Sequence, residues 1–267
     1  KPLGRSESPS HRNVMDRTPY QLPFTIDRVP AWVCPVCRVG HLTLDKKSLI
    51  NQETAASLKE HSHDAWEPDW IRSVFACVFQ CDNANCKEPV TCSGVGRVDH
   101  FEYEDEEYGW SQSTEEPLTP HYFHPSLVLM DIPEKCPEKV AGYLHESFAL
   151  SFADPSAALN SARTAVEALM TALGIKRFAI VKGKQRSISL HQRIQLLPPK
   201  YQEQKDLLLA VKWLGNAGSH DGDKATTADV SVTYDLLEHV LSEIYEGKGK
   251  KLKAMAKKVN KKKGPVK

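Results

Sequence analysis

Seven cysteines, at positions 34, 37, 77, 81, 86, 92 and 136, carry most of the reactive chemistry in this chain. In "WVCPVCRVGH", Cys34 and Cys37 flank Pro-Val. Two thiolates at that spacing can share one tetrahedral ion while nearby backbone N–H groups offset their charge. The second half is expected from "FACVFQCDNANCKEPVTCSG". There Cys81 and Cys86 enclose Asp-Asn-Ala-Asn, four turn-forming residues between two apolar runs. The expected ligand set is Cys34, Cys37, Cys81 and Cys86, with zinc as the cofactor. Cys77 with Cys81 is the competing pair. However, Cys77 alternates with Phe75 and Phe79 and reads as a small buried hydrophobe in a strand, as does Cys92 after "EPVT". His41, His61 and His63 are substitutes that nothing in their spacing requires. An odd cysteine count and the lack of an apolar leader argue against disulfides. A thioredoxin-like use of "CPVC" would need the pair to open a helix, whereas "GHLTL" follows and suggests a short strand. A site closed by four thiolates leaves no position for a substrate, so it holds a fold rather than reacting.

A second group of polar residues lies in and near "AVKWLGNAGSHDG" at 210–222. Asn216 and His220 are four apart and share a face if the helix restarts after Gly215. If the helix stops there, Asn216 caps it and His220 sits in a loop, bonded to Glu167 or to backbone. Histidine is the side chain most easily poised for proton transfer near neutral pH. Metal-independent RNA cleavage needs a base, an acid and a cation or amide beside the phosphate. His220, Asn216 and either Arg163 or Lys212 can fill those roles, including across a symmetric dimer. Arg163 and Glu167, four apart, form a pair worth only about 0.2–0.5 kcal/mol on a surface. In so Ala- and Leu-rich a helix the pair also suits an inner position, where a guanidinium needs its carboxylate.

The elements that must position these groups follow from the pattern. A flexible leader is expected over 1–30, with Met15 a candidate start, and a zinc-ribbon-like module over 31–116. Between the two knuckles lie 43 residues, long for a minimal ribbon, in which Trp66 and Trp70 either plug the core or form a contact surface. Residues 117–137 are Pro-rich and cannot form a continuous helix, so they read as an extended linker with "LVLM" laid against the next domain. From 138 to 246 the apolar period becomes helical. "EKVAGYLHESFALSFA" is the first helix. Asp154 and Pro155 then open "SAALNSARTAVEALMTAL", whose stripe is Ala158, Ala162, Ala165, Leu169 and Leu173, and Gly174 closes it. "KRFAIVKGKQRS" reads as a basic connecting loop. A short helix ends at two prolines, another ends near Gly215, and the last is opened by Thr226 or Thr227 with Asp229 in its first turn. The expected fold class is α+β: a small zinc-ribbon-like β module followed by an antiparallel helical bundle.

Net charge is +1, but residues 248–267 hold ten lysines and no acid, so the rest of the chain sums to −9. That tail, 247–267, is expected to be disordered. Lys250, Lys251, Lys253, Lys257, Lys258, Lys261, Lys262 and Lys263 are its candidate nucleic-acid contacts. The acidic segment 99–116, with eight acids, can fold back on it. No apolar stretch approaches the length of a membrane span and no secretory h-region is present, so a cytoplasmic protein is expected.

Four segments, "IPEKCPEKVAGYLHESFAL", "NSARTAVEALMTALGI", "LLLAVKWLGNAGSHDG" and "DVSVTYDLLEHVLSEIY", together resemble the bacterial domain-of-unknown-function family 4145. The likeness spans about 120–246, with a looser one over 31–92. The resemblance implies a HEPN-like bundle found beside or within restriction and phage-defence proteins, often preceded by a "CPxC" zinc-binding segment. Active HEPN ribonucleases carry an Arg four to six residues before a His. Here the His is His220, and the upstream basic residue is Lys212 with seven residues between, a departure in type and spacing. Lysine does not reproduce the bidentate phosphate geometry of arginine. Three functions follow as expectations. The first is a nucleic-acid or protein interaction module of a defence or restriction-type system, acting as a homodimer or within a larger assembly. The second is a metal-independent endoribonuclease using His220, and the third a structural subunit. A bundle alone never licenses an enzyme assignment.

Overall fold

The computed structural model describes residues 15–105, 109–217, 224–247, 256–258, 260 and 261. The amino-terminal half is strand-rich and the carboxy-terminal half a helical bundle, an α+β architecture. Its main sheet is built on two long strands, β3 (Arg72–Cys81) and β4 (Pro89–Arg97), with every pairing antiparallel. Two short strands, β1 (Leu42–Leu44) and β2 (Ile50–Glu53), share the outer edge of β3. The strand β7 (Leu118–His124) closes the other side against β4. A separate hairpin, β5 (Asp99–Asp105) with β6 (Gly109–Glu115), carries much of the acidic segment.

Alternation along β3 buries Ser73, Phe75, Cys77, Phe79 and Cys81 on one face and turns Arg72, Val74, Ala76 and Gln80 outward. Cys77 faces Cys92 across the β3–β4 ladder and both are buried, as the strand reading expected. Phe75 and Phe79 meet Phe24 edge-to-face, each 5.3 Å away between ring centres. Trp32, fully buried, packs edge-on against Phe24, Phe79 and Phe123 and donates its indole N–H to the carbonyl of Pro19 at 2.8 Å.

Two expected boundaries change. Residues 15–30 of the expected leader are packed: Tyr20 and Phe24 are buried, and Phe24 exchanges backbone hydrogen bonds with Leu118. Arg17, also buried, donates Nε to the carbonyl of Leu129 at 2.8 Å. Its other nitrogens reach Asp235 and Glu238 of the last helix. The expected linker 117–137 begins as β7, an edge strand, where a proline is tolerated: Pro120 stands opposite Gly94 and the register shift beside it leaves His121 unpaired. Leu127, Leu129 and Met130 then enter the core. Trp66 and Trp70 stand outside the aromatic cluster and stack on His61 and His63, at 4.4 Å and 5.4 Å.

The bundle consists of α2 (Glu138–Leu150), α3 (Pro155–Ala172), α5 (Gln202–Ala217) and α6 (Thr227–Tyr245). The short α4 (Leu190–Gln195) is an insertion; α1 (Ala55–Glu60) belongs to the sheet half. Asp154 caps α3 by accepting from the Ala157 N–H at 2.9 Å, with Pro155 at the first position. Gly174, at φ +80°, ends it: Gly174 donates to Thr171 and Ile175 to Met170, the Schellman arrangement. Thr226 and Asp229 form a reciprocal capping box on α6. The segment read as a loop after α3 is instead a hairpin, β8 (Phe178–Val181) with β9 (Lys184–Ser187). It turns on Lys182 and Gly183, both at positive φ, the requirement of a two-residue type I′ turn. Four apolar residues in a row had hidden the strand signal. No described helix is long and apolar enough to cross a membrane.

Candidate metal centre and the polar contact between α3 and α5

The sulfurs of Cys34, Cys37, Cys81 and Cys86 lie within 4.8 Å of one another. Cys34 and Cys86 are 3.8 Å apart and Cys37 and Cys81 are 3.6 Å apart. Zinc–thiolate bonds of about 2.3 Å set tetrahedral edges of about 3.8 Å, so the donor set fits a zinc ion. Among the described residues this is the cluster of soft ligands, and His41, His61 and His63 are not in it.

Each knuckle is built by its backbone. Cys34 donates to the Gly40 carbonyl at 2.8 Å, and Arg38 donates back to Cys34 at 3.1 Å. Across the site, Cys86 and Lys87 donate to the Asn83 carbonyl at 2.9 Å and 3.1 Å. Arg38 (φ 58°) and Lys87 (φ 54°) are each the residue after the second cysteine of a knuckle. The two half-sites therefore end in the same left-handed reversal despite unequal loops. That reversal aims backbone N–H groups at sulfur. Gly40 donates to Cys37 at 3.4 Å, and the Asn83 side-chain amide approaches the same sulfur at 3.7 Å. The Gly40 and Val39 N–H groups hold the Cys37 thiol down to about 6, whereas desolvation pushes the fully buried Cys81 up to about 12. Gly40 has a second role: a Cβ there would stand 2.6 Å from the Cys81 sulfur and 2.7 Å from Asp82. Sequence spacing found the four ligands but not Gly40 or Asn83. The available signal was a glycine three residues past the second knuckle cysteine.

The sulfurs also reach the bundle indirectly. Arg38 donates to Asp131 at 2.9 Å, and its charge, after burial, helps lower the pKa of His145 on α2. Cys92, opposite Cys77, has its thiol pKa raised by that contact and by burial, which makes it an inert core residue.

The polar group expected around His220 divides. α5 runs through Gly215 to Ala217, so Asn216 is helical rather than a cap. Arg163 and Glu167 on α3 form the i,i+4 pair at 3.3 Å, half-buried, with the Arg163 Nε buried and lacking a hydrogen-bond partner. Gly215 allows α5 to press on this arginine: a Cβ there would sit 2.8 Å from the Arg163 Cβ and 3.0 Å from the Leu159 carbonyl. Lys212 lies one turn back, its pKa lowered by burial and then by the Arg163 charge. Arg163 and Glu167 thus pack under α5 at Gly215, whereas the Lys212 ammonium lies over the Trp213 ring at 3.1 Å. His220 lies outside the described residues. So do Lys250, Lys251, Lys253, Lys262 and Lys263; Lys257, Lys258 and Lys261 have helical backbone and exposed side chains.

Family models divide the chain in the same two halves. Residues 145–262 match the family model described as Domain of unknown function (DUF4145). Residues 22–123 match a second model, Domain of unknown function (DUF8608). The carboxy-terminal region thus matches the DUF4145 family. The strand-rich region that holds the cysteine cluster has a family model of its own, which starts within the expected leader and ends inside β7. No curated protein and no solved structure matches the chain.

Proposed function

We propose that this chain is a zinc-stapled nucleic-acid interaction module of a bacterial defence or restriction-type system, built from a zinc-ribbon-like sheet and a HEPN-like bundle. The observation that carries the reading is the closure of the cysteine cluster. Four sulfurs at tetrahedral spacing fill every position of a zinc ion. The ion would therefore fix the two knuckles in place and leave no vertex for a substrate. Cys34, Cys37, Cys81 and Cys86 are the proposed ligands, and the lysine tail supplies charge for a polyanion. The test is binding of labelled DNA and RNA by the full chain over a salt series, with zinc content measured on the same sample. Binding that weakens steeply with salt and is unchanged in His220→Ala supports the reading; no binding to any nucleic acid ends it.

A second reading, metal-independent RNA cleavage, is favoured by one contact. Gly215 of α5 presses on Arg163, whose buried Nε has no hydrogen-bond partner, two residues before the described helix ends at Ala217, and His220 follows in the sequence. Cleavage of RNA in EDTA by the wild type, lost in His220→Ala with zinc content and helicity unchanged, would select it.

A further inference from the structure

The charge of the bundle is not confined to its tail. Between Glu167 and Glu203 the chain has no acid and seven Lys or Arg: 176, 177, 182, 184, 186, 193 and 200. Five of these seven are on or beside the β8–β9 hairpin. All eight strand residues of that hairpin are exposed, so it stands out from the bundle as a two-stranded ribbon.

Register sorts its two faces. Phe178 opposes Ser187 and Ile180 opposes Gln185, placing these four on one face. Ala179 opposes Arg186 and Val181 opposes Lys184, placing the cations on the other. Phe178 and Ile180, 47% and 81% exposed, line an open groove of about 710 Å³ with Gly174, Ile175 and Leu196. Lys182 and Lys184 flank the tip around Gly183. At the base, Arg177 accepts a backbone bond from Ile188 at 2.8 Å, and its charge reaches the buried Arg193. Arg193 is fixed in turn by the Glu167 carbonyl at 3.0 Å and the Thr171 hydroxyl at 2.8 Å. Arg193 also donates to the Ile175 carbonyl at 3.1 Å, which ties the segment leading into the ribbon to the turn of α3 that carries Glu167.

We propose that the β8–β9 ribbon is a docking wing for duplex DNA. The occupant follows from charge and shape together. Five cations without an acid form a complement to a phosphate backbone. A two-stranded ribbon fits the B-form major groove, whereas the major groove of duplex RNA is too deep and narrow for side chains to read. A lipid surface is a poorer match, because a membrane-inserting hairpin needs an apolar tip and this one ends in Lys-Gly-Lys. Edge-to-edge pairing with another protein is opposed along β9 by Lys184 and Arg186.

This inference rests on the nucleic-acid reading above, and the test separates the two. The full chain is compared with K182Q/K184Q/R186Q and with a second variant in which the ten tail lysines are glutamine. Each is titrated with a labelled 24-base-pair DNA duplex, the same duplex as RNA, the single strand, and phosphatidylserine vesicles, over a salt series. The ribbon variant should bind duplex DNA about 10-fold or more weakly and lower the slope of log K against log salt by about 2–3, with zinc content and circular dichroism unchanged. Equal binding and slope in wild type and ribbon variant would overturn the wing while leaving the interaction module standing. Preference for duplex RNA, the single strand or vesicles would overturn duplex DNA as its occupant. No nucleic-acid binding at all would remove both proposals.

Discussion

The sulfurs of Cys34, Cys37, Cys81 and Cys86 lie within 4.8 Å of one another, with Gly40 packed against the Cys81 sulfur. Cysteine spacing identified all four sulfurs because the chemistry of the ligands restricts where they can stand. Gly40 was not legible, since its constraint comes from Cys81 and Asp82, more than forty residues away. Cys34→Ser should lose zinc and most structure in the sheet half, because the binding free energy of a structural zinc site is folding free energy. Zinc stoichiometry by mass spectrometry of the native chain checks this; full zinc retention would exclude Cys34 as a ligand. Gly40→Ala should weaken the site with all four ligands intact, seen as faster zinc release to a chelator. Arg17 gives the residue-scale counterpart on the bundle side. It is buried beside the half-buried Glu238, whose pKa is raised by desolvation against the opposing pull of Arg17. Removing it in Arg17→Ala leaves that carboxylate uncompensated and should cost about 3 kcal/mol. A carboxyl raised in the folded state favours folding most when protonated, below its unfolded pKa. That contribution is lost as pH rises through the folded value, above the usual 4.5. Glu238→Gln should therefore flatten the stability profile in that window; a denaturation series in which mutant and wild type run parallel would contradict it.

Elements were legible where local signals agree with burial. The bundle helices follow from apolar spacing, and their ends from Asp154, Gly174 and Thr226, each of which acts locally. β7 and the β8–β9 hairpin were missed for opposite reasons. β7 contains proline, which is tolerated because β7 is the edge strand of the sheet, a place set by the pairing of the other strands rather than by local sequence. The hairpin has a continuous apolar run, and its alternation is visible only once Lys182 and Gly183 are seen to turn. The α3–α5 contact was half-read: the Arg163–Glu167 pair was expected, but Gly215 was taken to end a helix when it lets two helices touch. Gly215→Ala should consequently destabilise rather than stabilise α5, despite alanine's higher helix propensity, by about 1–3 kcal/mol from overpacking against Arg163 and Leu159. A rise in the unfolding midpoint would show that the helices separate freely and would remove the contact from any functional argument.

At the scale of the whole molecule, the question is whether a sheet half and a bundle half with separate family models behave as one body. Three connections run between them. Phe123 of β7 packs edge-on against Phe152 at 5.0 Å, joining the aromatic cluster to the loop after α2. Arg17, from the strand-rich half, ties the Leu129 carbonyl to Asp235 and Glu238 of α6. Arg38, within a metal knuckle, pairs with Asp131 and lies near His145 of α2. The buried residues form a continuous core through these points, and a shared core couples the stability of its parts. Zinc bound in one half should therefore stabilise the other. The expected result is a single unfolding transition in which helix circular dichroism and the fluorescence of buried Trp32 coincide, and both midpoints fall together when a strong chelator removes zinc. Helix signal that melts at an unchanged temperature after zinc removal would show two independent bodies, with the interface serving only to hold them side by side. If the transitions coincide, the ribbon is carried on a frame whose rigidity depends on a metal ion held in the other half, so depleting zinc should weaken DNA binding even though no proposed DNA contact is a zinc ligand.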